Sequence, residues 1–207
     1  MAYDQNTTID AFLNAAAAKQ PAPGGGSIAA LAGALAASMG EMVLNYSVGK
    51  KSLAEHQPKL TAALTKLTKA RAMLLELMVE DQAAYQALND AKKLPEGSAN
   101  RKQLPLLAQT CVDVPLAIAA TAVAMIDLAA DVAPIVNPYL LSDLAVCADL
   151  AMATVRCASY NVAVNLPELS TDADRSKAGN AAQQMLRHAT SAVQRASSAI
   201  WKKPPLL

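Results

Sequence analysis

The feature that most limits how this chain can fold is a proline-glycine loop, Pro21-Ala22-Pro23-Gly24-Gly25-Gly26-Ser27, leading directly into a long tract of small apolar residues. The prolines stiffen the approach, the glycines allow close contact with neighbouring backbone, and Ser27 is placed to cap a helix running to about Val48. A helix made of Ala, Leu and Met, with Gly33 and Gly40 inside it, is stable only when other helices pack around it. The tract therefore predicts a helix, apolar nearly all round, that another backbone can approach closely at Gly33 and Gly40. Its open N–H groups and dipole favour an anionic group at the loop. The loop lacks the Gly-Lys-Ser/Thr ending of a nucleotide P-loop and follows no strand-like run.

Hydrophobic residues make up 53% of the 207-residue chain but aromatics only 3%, so the core must be built from Ala, Leu, Val and Met. Close-packed helices are the architecture that suits such side chains. We expect an all-α, single-domain bundle of about six helices over residues 1–207. A net charge of +1 with no basic run removes the electrostatic case for nucleic acid or an anionic membrane surface. The longest apolar run, Val114 to Ile126, is shorter than the ~20 residues a membrane span requires, so no membrane partner is expected. Cys111, Cys147 and Cys157 lie in apolar patterns without paired spacing, which fits a reducing compartment. His56 and His188 are the only histidines, so no metal site is expected. The acidic, polar start to Lys19 is unlike a signal peptide, and a cytoplasmic location follows as an expectation.

In chain order, Thr7 with Asp10 resembles a capping box that starts a first helix, which Pro21 stops. The glycine-opened helix follows, ended by Gly49 with Lys50 and Lys51 at its negative end. The third and longest helix runs from Pro58 to about Lys93. Its seam reads Leu60, Leu64, Leu67, Arg71, Leu74, Met78, Asp81, Tyr85, Leu88. A carboxylate on such a seam is costly unless paired, so Asp81 either caps another helix or does chemistry. A fourth helix spans Arg101 to Ala130 with Pro115 inside. The loop Pro134 to Leu141 leads to Ser142, a candidate cap for a fifth helix, with Asp143 in its first turn beside open N–H groups that favour an ionised carboxylate. A polar, amphipathic sixth helix covers Asp172 to Lys202.

Two apolar helices carry narrow polar stripes. Ser27, Ser38, Glu41 and Asn45 fall within roughly 60° of one another on the second helix, and Asp143, Thr154, Asn161 and Asn165 do so on the fifth. Each stripe faces either solvent or a shared pocket.

The proline-glycine loop, with Met42, Asn45, Gly49-Lys50-Lys51, Asp81 and Tyr85, Pro115, Asn137, Ser142-Asp143, Asn161 and Asn165, resembles the cyclodeaminase/cyclohydrolase family over nearly the whole chain. The chain departs from the family in lacking a glycine before Asn137 and in Pro138 and Tyr139. The resemblance implies an all-helical homodimer with a tetrahydrofolate derivative as substrate, bound near the subunit interface, and no separate cofactor. In 5,10-methenyltetrahydrofolate the bridging carbon is already an electrophilic amidinium. Its hydrolysis needs a placed water, a carboxylate and a proton donor for N5. Asp143 is the first candidate for the carboxylate and Asp81 the second, with a raised pKa suiting Asp81 to act as the acid. Asn45, Asn161 and Asn165 would bond the pterin or the tetrahedral adduct. Gly24, Gly25, Gly26 and Ser27, or Lys50, would take a folate carboxylate, with Ser38, Glu41, Asn137 and Ser142 completing the substrate contacts. Cyclohydrolase is the leading activity, since no transferase region accompanies these residues. Cyclodeamination of 5-formiminotetrahydrofolate with release of ammonia is the alternative, and a non-catalytic helical interaction module the third reading.

Overall fold

The computed structural model describes residues 2–98 and 101–201. Six α-helices account for the architecture, and no strand occurs among the described residues. They are α1 (Ile9–Ala17), α2 (Gly25–Asn45), α3 (Gln57–Lys93), α4 (Leu104–Val132), α5 (Leu141–Asn165) and α6 (Asp172–Ile200), joined by short 3-10 turns. The expected terminating residues Lys202 to Pro205 lie outside the described residues.

Helix α2 sits between α3 and α5 and runs antiparallel to both. Gly26, Gly33 and Gly40 recur every seven residues and meet Asp81, Leu74 and Leu67 of α3, which recur every seven residues in reverse order. On the other side Gly25, Gly33 and Gly40 meet Asn161, Thr154 and Cys147 of α5. A seven-residue repeat keeps one helical face on its partner, and a missing Cβ at each step lets the axes approach closely. The sequence supplies small residues where two neighbours must converge. Ala29, Ala30, Ala36 and Ala37 are wholly buried beside them.

Helix α4 packs on α3, α5 and α6, and α6 closes the outer side with a stripe of buried alanines at 178, 182, 189, 192 and 196. The run Val114 to Ile126 lies inside a longer apolar stretch, Arg101–Ile135, which with α2 is long and apolar enough by composition to cross a bilayer. In α2, 61% of the most apolar window is buried within the protein, so that apolarity is spent on neighbouring helices.

The helix starts differ from the sequence expectation in three places. Thr8, not Thr7, caps α1 by accepting from the Ala11 N–H, because Thr7 is occupied accepting from the Asp4 N–H. Gly24 is the N-cap of α2 and Ser27 lies inside the first turn, since its hydroxyl is drawn sideways to α3. Helix α5 begins at Leu141 without a side-chain cap, so Ser142 is no cap. The preceding Asn137 instead accepts from the Tyr139 N–H and caps a 3-10 turn. Helix α2 stops at Asn45, and Gly49 turns the chain at a φ of 80°.

Packing without a Cβ gives a direct test. A methyl at Gly40 would lie 2.6 Å from Leu67 Cδ1 and 3.0 Å from Cys147 Sγ, whereas one at Gly179 meets only Leu166 at 3.4 Å. Gly40→Val should cost about 1–3 kcal/mol by overpacking, while Gly179→Ala should gain about 0.5–1 kcal/mol of helix stability. Urea midpoints of the two variants should move in opposite directions. Equal midpoints would refute the close approach of α2.

Candidate active site

The first turn of α2 opens into a cleft of ≈ 230 Å³ formed with α3, α4 and α5. The glycine at 26 lets α3 bring a carboxylate to this turn, because any Cβ there would overlap Asp81 Oδ1. Ser27, with no exposed surface, donates its hydroxyl hydrogen to Asp81 Oδ2 at 2.8 Å. The carboxyl group thus caps α2 from another helix, where the helix dipole favours negative charge. Burial nevertheless dominates and pushes the Asp81 carboxyl above the usual carboxylate range, against the opposing pull of the Ser27 hydroxyl and backbone N–H. The two roles weighed for Asp81 from the sequence therefore coincide: it caps a helix and it lines a cleft.

From α5, Asn161 approaches Gly25 closely enough that a Cβ there would lie 3.1 Å from its Nδ2. Asn161 Nδ2 donates to the Cys157 carbonyl at 2.8 Å. Asn165 Nδ2 donates to the carbonyls of Cys111 and Asn161, both at 2.9 Å, which ties α5 to α4. Tyr85, 44% exposed, stands among the lining residues. Two other lining residues were not singled out from the sequence. Gln82 is 4% exposed and its carboxamide is fully engaged, accepting from the Tyr3 N–H and donating to the carbonyls of Tyr3 and Met78. Its only sequence signal is a polar residue beside Asp81. The Cys111 thiol is pushed up to about 11, chiefly by burial and then by the Asp81 charge, and carries no pattern that would mark it.

The other predicted residues lie elsewhere. Ser38 is exposed and donates to the Ala34 carbonyl one turn back. Glu41 is buried and pairs with Arg71 Nε at 2.6 Å while accepting from the Thr68 hydroxyl, so the second charge on the α3 seam is satisfied by α2. Asn45 and Lys50 are exposed at the far end of α2, about 30 Å from Gly25 at 1.5 Å per residue. Asn137 is buried, with its N–H donating to the Ser47 hydroxyl at 2.9 Å. Ser142 is exposed and Asp143 half-buried in the first turn of α5, about 27 Å along that helix from Asn161. Within one chain the predicted residues thus form two main groups, at opposite ends of α2, with Ser38 and Glu41 along the helix between them. Only the group of Gly24, Gly25, Gly26, Ser27, Asp81, Asn161 and Asn165 shares a cleft.

A larger groove of ≈ 530 Å³ lies between α3 and α4, over Ala70, Met73 and Leu128. It contains none of the predicted residues. The smaller cleft is the better candidate because a buried, perturbed carboxyl and two oriented carboxamides converge there. Among the described residues, no three His, Cys, Asp or Glu side chains gather as a metal site.

A helical bundle whose central helix opens onto a buried carboxyl and oriented amides defines a small-molecule site built at a helix end. Residues 8–191 match the family model described as formiminotransferase-cyclodeaminase, and the chain belongs to that family. It is 36% identical over 165 residues to a methenyltetrahydrofolate cyclohydrolase of Methylorubrum extorquens, covering 77% of this chain and 79% of that protein. It is 28% identical over 189 residues to the formimidoyltransferase-cyclodeaminase of Mus musculus, covering 89% of this chain but 35% of that protein. The chain thus spans about a third of that bifunctional relative. The crystal structure of formiminotetrahydrofolate cyclodeaminase from Thermotoga maritima superposes with a TM-score of 0.87 at 25% identity, over 94% of this chain and 96% of that one.

The raised Asp81 pKa carries a sign for stability. An acid held above its ordinary value of 3.8 contributes stability that is full below that value and is lost as pH rises through the folded-state pKa. At neutral pH the ionised carboxylate is a cost that Asn avoids while still accepting from Ser27. Asp81→Asn should therefore melt at or above the wild-type temperature at pH 7, with the gap closing below 3.8. A variant markedly less stable at pH 7 would refute the burial-dominated carboxyl.

Proposed function

We propose that this protein hydrolyses 5,10-methenyltetrahydrofolate to 10-formyltetrahydrofolate. The observation that carries the reading is the Asp81 carboxyl, desolvated yet held by Ser27 at the mouth of a cleft large enough for a bicyclic ring. A carboxyl with a raised pKa can accept a proton and return it near neutrality. Water adds to the cationic bridge carbon as its proton passes to the carboxylate. Asp81 then protonates N5 as the C–N5 bond breaks, and the adduct hydroxyl releases its proton to solvent as the N10-formyl carbonyl forms. The Methylorubrum extorquens cyclohydrolase, matched over most of both chains, supports this activity over the alternative. Cyclodeamination of 5-formiminotetrahydrofolate would use the same acid and base groups, and is favoured by the Thermotoga maritima neighbour.

The second group of predicted residues fits this reading through a homodimer. Along the outer face of α2, Ile28, Leu35 and Tyr46 are exposed apolar side chains, and Leu35, 54% exposed, is midway between Gly25 and Asn45. A two-fold axis crossing α2 at Leu35 would set two copies antiparallel. The partner subunit's Asn45, Lys50 and Asp143 would then come alongside the cleft of Asp81. Asp143 would then stand beside the cationic bridge carbon while Asp81 carries the proton, so that one site is served from two chains. The three free thiols support placing the protein in a reducing cytoplasm.

Decay of methenyltetrahydrofolate absorbance at slightly acidic pH, where the uncatalysed reaction is slow, tests the activity. The wild type should accelerate the decay and Asp81→Asn should lower turnover at least about 100-fold. Ammonia release from formiminotetrahydrofolate without such acceleration would reverse the assignment in favour of cyclodeaminase.

A further inference from the structure

The carboxamides in the cleft are oriented by groups that can only accept. Both amide hydrogens of Asn165 are committed to backbone carbonyls, those of Cys111 and Asn161, each at 2.9 Å. One hydrogen of Asn161 is committed to the Cys157 carbonyl at 2.8 Å. A carbonyl cannot donate, so the nitrogen of each amide faces the backbone; Asn165 has Oδ1 alone left for a ligand, and Asn161 keeps Oδ1 and one N–H. Neither Oδ1 takes a hydrogen bond among the described residues, and the Asp81 carboxyl, bonded at Oδ2 by the Ser27 hydroxyl, adds a further oxygen-bearing group. Two walls of the cleft therefore offer oxygen acceptors. Donors come from the third side, where the first-turn N–H groups of α2 at Gly25 and Gly26 have no intrahelical partner.

We infer that Asn165 and Asn161 are specificity residues that read N–H donors on the edge of the substrate ring, and that the cleft selects a 2-amino-4-oxopyrimidine edge. That edge carries two kinds of N–H, on the 2-amino group and on N3, beside a carbonyl oxygen that suits the α2 first turn. The inference rests on the folate reading above and narrows it. Of the two roles considered for these asparagines, bonding the pterin and donating to an oxyanion adduct, the orientation of Asn165 leaves the first. Donation from Asn165 would break its tie to α4.

The test compares binding of tetrahydrofolate with binding of its analogue bearing a methyl in place of the 2-amino group, on the full-length chain by calorimetry. Wild type should bind the analogue roughly 10- to 100-fold more weakly, the loss expected when buried acceptors go unpaired. Asn165→Ala should reduce that ratio to about threefold or less. Asn161→Ala, which removes only a bond within α5, should reduce it as well and serves if the first variant unfolds. Tetrahydrofolate binding with no discrimination against the analogue overturns the inference and leaves the folate reading standing. Discrimination that persists undiminished in both variants also overturns it. Failure of tetrahydrofolate itself to bind overturns the folate reading and the inference with it.

Discussion

The structure depends on α2 lying against two helices at once without side chains at the points of closest approach. Gly26, Gly33 and Gly40 face α3 in a seven-residue register, and Gly25, Gly33 and Gly40 face α5. That insertion fixes the antiparallel order of the three helices, buries the alanines between the glycines, and leaves one apolar stripe of α2 uncovered. It also fixes the site, because the last step of the register on α3 is a carboxylate where the earlier steps are leucines. The same geometric repeat that packs the core at Gly33 and Gly40 delivers Asp81 to an open helix end at Gly26.

Two charges interrupt the α3 seam, and α2 answers both. Arg71 meets Glu41 near the middle of the bundle in an ion pair whose carboxylate is buried and further bonded by Thr68. Among the described residues Asp81 meets no cation. Its compensation is the Ser27 hydroxyl and the N-terminus of α2, which is weaker than a full ion pair and leaves the carboxyl above its ordinary range. A fully paired carboxylate would be a poor proton carrier. The difference between these two seam positions separates a structural charge from a group fit for acid-base work.

Much of this was legible in the sequence. Six helices, the long α3, its seam and the glycine-opened start of α2 follow from periodicity, proline and glycine placement, and from a composition too poor in aromatics for other cores. The grouping of site residues was not legible. A helical stripe is defined by angle, and angle says nothing about distance along the axis, so Ser27 and Asn45 share a face of α2 while lying about 27 Å apart. Asp143 and Asn161 are separated in the same way on α5. Capping was misread at Ser27 because a hydroxyl near a helix start can serve its own backbone or a neighbouring helix, and only the register with α3 decides. Gln82 escaped notice because its partner, Tyr3, is 79 residues away in sequence.

The proposed homodimer would join the two groups at opposite ends of α2 into one site across two chains. The most direct measurement is turnover of methenyltetrahydrofolate by a mixture of Asp81→Asn and Asp143→Asn proteins, unfolded together and refolded to exchange subunits. Each variant alone should be inactive, while the mixture should recover about a quarter of wild-type activity, since half the dimers then hold one intact site of two. A mixture as inactive as its parents, or full activity in Asp143→Asn alone, would rule out a site shared between two chains.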